Sequence, residues 1–115
     1  MQVWTALSNP AFLSADEQEP ECSDYFAANG WHYLVFSLRA KGQYLFSREE
    51  FRDWRIPPDG CIPSESVPKC AVFHGRILFT GFRGDGKWGG HLFFTEAVQQ
   101  PDGTLRFKPA SSSIR

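Results

Sequence analysis

The chain of 115 residues is long enough for one ordinary domain, and its aromatic content of 16% is high. A net charge of −1 provides no basic footprint, so we expect no nucleic-acid partner and no anionic-membrane partner. No apolar run approaches the roughly 20 residues that cross a bilayer. No secretory leader follows Met1, which favours a cytoplasmic location for the chain as given and leaves the compartment of a longer parent protein open.

The cysteines argue against a covalent or metal scaffold. Cys22, Cys61 and Cys70 are odd in number and contain no Cys-x-x-Cys spacing, so reduced, packed thiols are expected. The three histidines are widely separated along the chain. We therefore expect no metal site and no cofactor.

The first half of the chain predicts strands joined by turns. Residues 3–7 are expected to form a strand, and residues 15–20 an acidic loop. The apolar run from Trp31 to Leu38 predicts a buried strand, and Asn29-Gly30 before it predicts a type I′ turn. A turn at 40–42 and a strand at 43–47 follow. Residues 48–66 are expected to be loop with a short edge strand.

The second half repeats this pattern. A strand is predicted from Val67 to Phe73, a turn at His74-Gly75, and a second strand from Arg76 to Phe82. Residues 81–90 are rich in glycine and predict a mobile loop. Further strands are expected at 91–98 and 104–107.

An all-β fold follows from these two similar units. Antiparallel meanders that recur about every 45 residues are typical of four-stranded propeller blades. We expect a first blade at about 20–66, a second at about 67–109 and a frayed tail at 110–115. Two blades do not close a ring, so further blades of a parent chain, or an oligomer, are the expected partners.

A short motif opens the first unit. Residues 21–26 read Glu-Cys-Ser-Asp-Tyr-Phe, which resembles the acid/base motif of glycoside hydrolase family 32, the invertase, inulinase and levanase family. In that family a Glu-Cys-Pro-Asp run opens the third blade of a five-bladed propeller, and Ser23 stands where the family usually has Pro. Later segments also resemble the family, in the same order: residues 75–82, 88–97 and 102–109.

The resemblance has gaps. The two other acidic motifs of the family, with the nucleophile and the transition-state-stabilising Asp, are absent from this chain. The Asp-Phe-Tyr-Ala segment should fall near residues 67–71, where only the Ala is found. Because a retaining glycosidase needs two carboxyl groups, we predict that the isolated chain does not cleave fructosides.

The resemblance implies roles for particular residues. Glu21 would be the general acid/base, held protonated by apolar surroundings from Tyr25, Phe26 and Trp31; without the resemblance it is a solvated loop acid. Substrate contacts would come from four residues: Asp24, Cys22, Lys69 and Trp88. Asp24 would hold a sugar hydroxyl or orient Glu21, or else cap a turn. Lys69 would face a central pocket or lie on the surface, and Trp88 would stack on a sugar or pack in the core.

Spacing adds one geometric expectation. Glu21 and Asp24 are three positions apart, which places them on opposite faces of a regular strand. Asp24 is then unable to replace the missing nucleophile. Arg76 is expected to pair with a carboxylate across the blade interface.

Several functions stay open from the sequence. The first is a fragment or degenerate relative of a glycoside hydrolase acting on β-fructosides, such as sucrose or fructans. The second is a related five-bladed glycosidase for arabinosides or xylosides. The third is a non-catalytic partial propeller that binds carbohydrate or protein, and the last an independent small β-sandwich.

Overall fold

In the computed structural model the chain forms two antiparallel sheets of four strands each, so the all-β prediction is confirmed. The structure describes residues 2–6, 10–16, 18–59, 61–64 and 66–110. The first sheet contains β1 (Glu21–Ala28), β2 (Trp31–Leu38), β3 (Lys41–Ser47) and β4 (Cys61–Ile62). The second sheet contains β5 (Ser66–Phe73), β6 (Arg76–Gly84), β7 (Gly90–Gln99) and β8 (Leu105–Pro109). Within these described ranges no helix has the length and apolar character needed to cross a membrane.

Each sheet is an up-and-down meander, because every strand pairs with the next strand in the sequence. Tight turns join the long strands. Asn29 and Gly30 have φ angles of 51° and 78°, and His74 and Gly75 have φ angles of 48° and 72°. Positive φ at both central residues defines the type I′ turn, whose twist matches that of the flanking strands. The two predicted turns are therefore confirmed.

The turn between β2 and β3 begins one residue earlier than predicted and ends at Ala40. Arg39 and Ala40, with φ angles of 51° and 57°, form it, and Gly42 is a strand residue. A Cβ at Gly42 would come within 3.1 Å of the Ile62 Cβ and 3.2 Å of the Pro68 Cγ. Glycine thus allows close packing there and does not serve a turn.

Two further predicted boundaries were wrong. β6 continues to Gly84 and β7 begins at Gly90, so much of the glycine-rich stretch is paired strand instead of loop. Residues 3–6 form no strand, and Leu7 lies outside the described residues.

The core lies between the two sheets. We call the facing surfaces the inner faces, since alternate side chains of each strand point to them. The first sheet contributes Trp31, Tyr33, Val35, Tyr44 and Phe46, and the second contributes Ile77, Phe79, Ala97 and Leu105. Tyr33 and Val35 have 0% of their surface exposed, and Phe79 has 1%.

The outer face of the first sheet is also buried. Phe36, Leu38 and Leu45 point to that side and are packed beneath Phe12 and Trp54. The Phe12 and Phe36 rings have centroids 5.0 Å apart. We call residues 10–16 the N-terminal cover; Asp16 anchors it through an ion pair with Arg39.

The outer face of the second sheet is open. Its exposed apolar side chains are Leu92, Phe94, Phe73 and Val98, at 73%, 61%, 47% and 41%. Arg76 also lies on this face and pairs with Glu96 of β7, with a shortest distance of 2.7 Å between the Arg76 Nη2 and the Glu96 Oε2. Glu96 is a neighbour in the same sheet, so this ion pair does not cross the expected blade interface.

Polar contacts complete the packing of the inner faces. The Tyr33 hydroxyl donates to the Gly103 carbonyl at 2.7 Å. The Gln99 Nε2 donates to the Ala28 carbonyl at 2.9 Å and to the Tyr33 hydroxyl at 2.6 Å. These bonds fix the turn before β8 against the first sheet.

The two sheets repeat with an offset of 45 positions. A bulge between Glu21 and Asp24 in β1 matches a bulge between Ser66 and Lys69 in β5. The residue that follows the start of each bulge, Cys22 in β1 and Val67 in β5, has a positive φ angle, 53° and 50° respectively. The type I′ turns at 29–30 and 74–75 keep the same offset. The predicted repeat of about 45 residues is therefore present in backbone geometry as well as in strand order.

Candidate functional site

Glu21 begins β1 and lies opposite Ser37 of β2. Its side chain is exposed. The bulge that follows it changes the expected geometry, because Asp24 lies opposite Val35, two positions from Ser37. Ser37 and Val35 share a face of β2, so Glu21 and Asp24 share a face of β1. The prediction of opposite faces was wrong because the bulge inserts one extra residue.

Asp24 is occupied by backbone donors. Its Oδ1 accepts a hydrogen bond from the Tyr25 N–H at 3.0 Å, and its Oδ2 accepts one from the Cys70 N–H of β5 at 3.1 Å. The carboxylate thus joins the first strand of one sheet to the first strand of the other. This arrangement gives Asp24 a structural role at the contact between the sheets.

Lys69 lies at the same corner. Its Nζ donates to the carbonyl oxygens of Cys22 and Ser23, at 3.1 and 3.2 Å. The residue is exposed, and it follows the second bulge as Asp24 follows the first. Lys69 therefore places a positive charge beside the bulge that begins at Glu21. A cation there can attract an anion or a sugar hydroxyl.

The aromatic residues behind Glu21 do not form an apolar pocket around it. Phe26 and Trp31 belong to the core between the sheets. Tyr25 points to the other side, where its hydroxyl is hydrogen-bonded to the His32 Nδ1 at 2.6 Å and its ring packs at a tilt of 31° against Phe51, with centroids 4.8 Å apart. The apolar surroundings expected around Glu21 from these three residues are therefore absent.

The remaining predicted site residues are dispersed. Cys22 is an exposed free thiol next to Glu21, as Cys61 is an exposed free thiol at β4. Trp88 is fully exposed in the turn between β6 and β7, so the alternative of core packing was wrong. The Lys87 N–H donates to the Asp85 Oδ1 at 2.8 Å within that turn. The structure thus brings together Glu21, Cys22, Asp24 and Lys69, and leaves Trp88 on a separate hairpin.

A cleft that the sequence did not indicate lies elsewhere. It has a volume of about 410 Å³, and its walls include Tyr44, Pro57, Asp59, Asp102 and Arg106. Hydrogen bonds from Thr104 lower the pKa of Asp102. Its wall residues come from a proline turn and a hairpin turn. Asp is common in such turns because its side chain hydrogen-bonds the nearby backbone, so Asp59 and Asp102 did not suggest a site in the sequence. The cleft becomes visible only in the fold, which brings these two turns next to each other.

The chemistry available at the sheet corner is limited. Among the residues that the structure describes, no three His, Cys, Asp or Glu side chains are grouped to hold a metal ion. Glu21 is a free, exposed carboxylate, and Asp24 is held by two N–H donors. A double displacement needs a second, unoccupied carboxyl group about 5–5.5 Å from the first. The corner is suited to binding more than to bond cleavage.

Comparison with protein-family models, curated protein sequences and solved structures found no match for this chain. A function for this chain is therefore inferred from its own geometry and from the motif at residues 21–26.

Proposed function

We propose that the chain forms two blades of a five-bladed β-propeller and is a fragment or degenerate relative of a glycoside hydrolase acting on β-fructosides. In this proposal Glu21 supplies the general acid/base, and Cys22, Asp24 and Lys69 form the adjoining substrate surface. One observation carries it. Glu21 stands exposed at the start of β1, beside the corner where β1 and β5 are linked through Asp24.

The meander order supports this assignment. β5 approaches β1 more closely than it approaches β2 or β3, so the sheets converge along their first strands. In a propeller the first strand of each blade lines the central axis, where substrates enter. Glu21 and Lys69 would then both face the axis side of the two blades.

The proposal also limits what the isolated chain does. The nucleophile motif is missing from the sequence, Glu21 is exposed, and the described residues provide no second free carboxylate at the corner. The chain alone is therefore expected to bind a fructoside weakly without cleaving it. Cleavage would require further blades that cover Glu21 and supply the nucleophile.

Amide chemical shifts measured during titration with sucrose and with inulin oligosaccharides test the proposal. Shifts are expected at residues 21–24 and 69, and Glu21→Gln should reduce them, whereas the matched change Glu19→Gln should leave them unchanged. Shifts confined to other surfaces, or none at either sugar, would contradict the proposal. Fructose release that is lost in Glu21→Gln would contradict the expected lack of cleavage.

A second candidate function is non-catalytic carbohydrate binding at Trp88. The indole is fully exposed on the β6–β7 hairpin, where it is available as a stacking platform for a sugar ring. In the same titrations this function would shift residues 85–90 instead of 21–24. Arabinose and xylose oligosaccharides, added in parallel, distinguish a fructoside site from the related glycosidase specificities.

A further inference from the structure

The open outer face of the second sheet lies where the internal repeat places an interface. Leu78 follows Tyr33 by 45 positions, and Lys69 follows Asp24 by the same interval. In the first sheet, Tyr33 and Asp24 contact the second sheet. Their counterparts in the second sheet lie on its outer face, which is exposed. This face therefore has the backbone geometry of a surface that receives another sheet.

The outer face has an apolar centre and a basic border. Leu92 and Phe94 are 73% and 61% exposed. A hollow of about 240 Å³ lies beside them, with Ala71, Leu78 and Thr80 in its walls. Three cations and one carboxylate occupy the same face: Arg76, Arg106, Lys108 and Glu96. The face thus fits a partner that presents an apolar side chain among carboxylates.

The opposite end of the molecule presents such a surface. Leu13 in the N-terminal cover is 79% exposed. The adjoining residues 16–20 contain Asp16, Glu17 and Glu19 and no Lys or Arg, and Asp16 already pairs with Arg39. The cover lies on the outer face of the first sheet, as the contact between Phe12 and Phe36 shows. The two ends of the sheet pair therefore have complementary chemistry.

We propose that copies of this chain associate head to tail, with the N-terminal cover of one copy docked on the open outer face of the second sheet of another. Leu13 would enter the hollow beside Phe94, and Glu19 would meet the cations of the border. A symmetric contact between two such outer faces is disfavoured, because both faces carry a net positive charge. A head-to-tail contact uses two different surfaces, so further copies can add.

The size of the face sets the strength of the association. The four strands have 8, 9, 10 and 5 residues, so the sheet spans roughly 19 by 26 Å at their mean length. That is about 500 Å², below the ~800 Å² that each partner buries in a standard interface. The association is therefore weak, and because its border is charged it weakens further as salt screens the ion pairs.

Sedimentation velocity of the full chain over micromolar to millimolar concentrations tests the proposal. The mass should rise with concentration at low salt and fall in molar sodium chloride. The face variant, Leu92→Asp with Phe94→Asp, should raise the dissociation constant at least about tenfold. Ile56→Asp is the matched control, since Ile56 is 73% exposed in a loop outside both surfaces; it should leave the mass unchanged.

Mixing two variants distinguishes a head-to-tail contact from a symmetric one. The cover variant, Leu13→Lys with Glu19→Lys, should also be monomeric alone. The face variant keeps an intact cover, and the cover variant keeps an intact outer face. An equimolar mixture should therefore form a dimer that does not grow further. Circular dichroism of each variant checks that the sheets are retained.

Two results would overturn the proposal. One is a wild-type chain that stays monomeric throughout the concentration range. The other is a mixture of folded face and cover variants that stays monomeric while the wild type associates. Both are read from mass alone, so they are independent of sugar binding at Glu21.

Discussion

The inner face of the first sheet and the outer face of the second sheet occupy equivalent positions in the repeat, but their environments differ. Tyr33 is fully buried on the first surface, and Leu78, its counterpart 45 positions later, is only half-buried on the second. Phe46 lies opposite Tyr33, and Glu96 lies opposite Leu78. The same backbone geometry therefore carries an aromatic interface in one place and a mixed apolar and charged surface in the other.

This difference teaches that the backbone repeat and the side-chain repeat are separate properties. Bulges and type I′ turns fix where each strand lies, whatever the side chains are. Side chains then decide whether a face is permanently buried or available for exchange with water. A charged border is typical of interfaces that form and dissociate.

The largest expected effect comes from shortening a phenylalanine on each surface. Phe79→Ala should lower the free energy of unfolding by about 3–5 kcal/mol, because it leaves a cavity between the sheets. Phe94→Ala, on the open face, should lower it by less than about 1 kcal/mol. Urea unfolding at low protein concentration measures both. Equal losses would mean that the two surfaces do not differ as described.

Removal of the carboxylate between the sheets should have a smaller effect. Asp24→Ala leaves the Cys70 N–H without its acceptor, and we expect a loss of about 1–3 kcal/mol in unfolding free energy. Lys69→Ala, at the equivalent position of the second sheet, should cost about 0.5 kcal/mol or less. Asp24→Asn keeps one acceptor oxygen and should fall between the two. An Asp24→Ala variant as stable as the wild type would remove the structural role assigned to this carboxylate.

Alkaline titration should show the burial of the inner face. Burial raises the pKa of Tyr33 to about 12, and burial also raises the pKa of Tyr44. A raised pKa in the folded chain means that the stability contributed by the neutral phenol is complete below about pH 10 and is lost as the pH rises towards 12. Unfolding midpoints from pH 8 to 12 measure this loss. Tyr33→Phe should reduce the loss of stability at high pH without abolishing it, because Tyr44 remains. An unchanged loss in this variant would contradict the raised pKa of Tyr33.

The smallest effect concerns thiol reactivity and leaves stability unchanged. Burial, with the nearby Asp24 charge, raises the pKa of Cys70 to about 12. Cys61 is exposed. At pH 8 we expect iodoacetamide to modify Cys70 at least about 100-fold more slowly than Cys61, because the thiolate is the reactive form. Mass spectrometry of timed samples measures both rates, and Asp24→Ala should speed modification of Cys70. Similar rates in the wild type would indicate that the inner face opens readily.

The strands could be predicted because their signals are local. The aromatic run at 31–38 and the two turns with glycine at their second position predict a meander wherever it occurs. The turn at Arg39 and Ala40 carries no such signal, since neither residue favours positive φ. The bounds of β6 and β7 were missed because their glycines are paired across the hairpin.

The site could be predicted only in part. The motif at residues 21–24 indicated a set of polar side chains, and the fold does bring Glu21 and Asp24 to one face. Glu21 and Asp24 share a face only because of the bulge at Cys22, and a cysteine in the sequence does not predict a left-handed backbone conformation. The contact between Asp24 and Cys70 spans 46 positions, and local patterns do not report such pairings. Val67, at the second bulge, has a positive φ, and β-branched residues rarely adopt that conformation, so nothing in the sequence indicated this bulge.

The type I′ turn at Asn29-Gly30 has a chemical consequence over time. The Asn29 Nδ2 donates to the Gln99 Oε1 at 2.8 Å, across the two sheets. Asparagine followed by glycine loses its side-chain amide readily by way of a succinimide. The resulting carboxylate would have no proton to offer the Gln99 oxygen, and isoaspartate formation would lengthen the backbone within the turn. Deamidation of the purified chain during storage should therefore begin at this turn and weaken the contact between the two sheets.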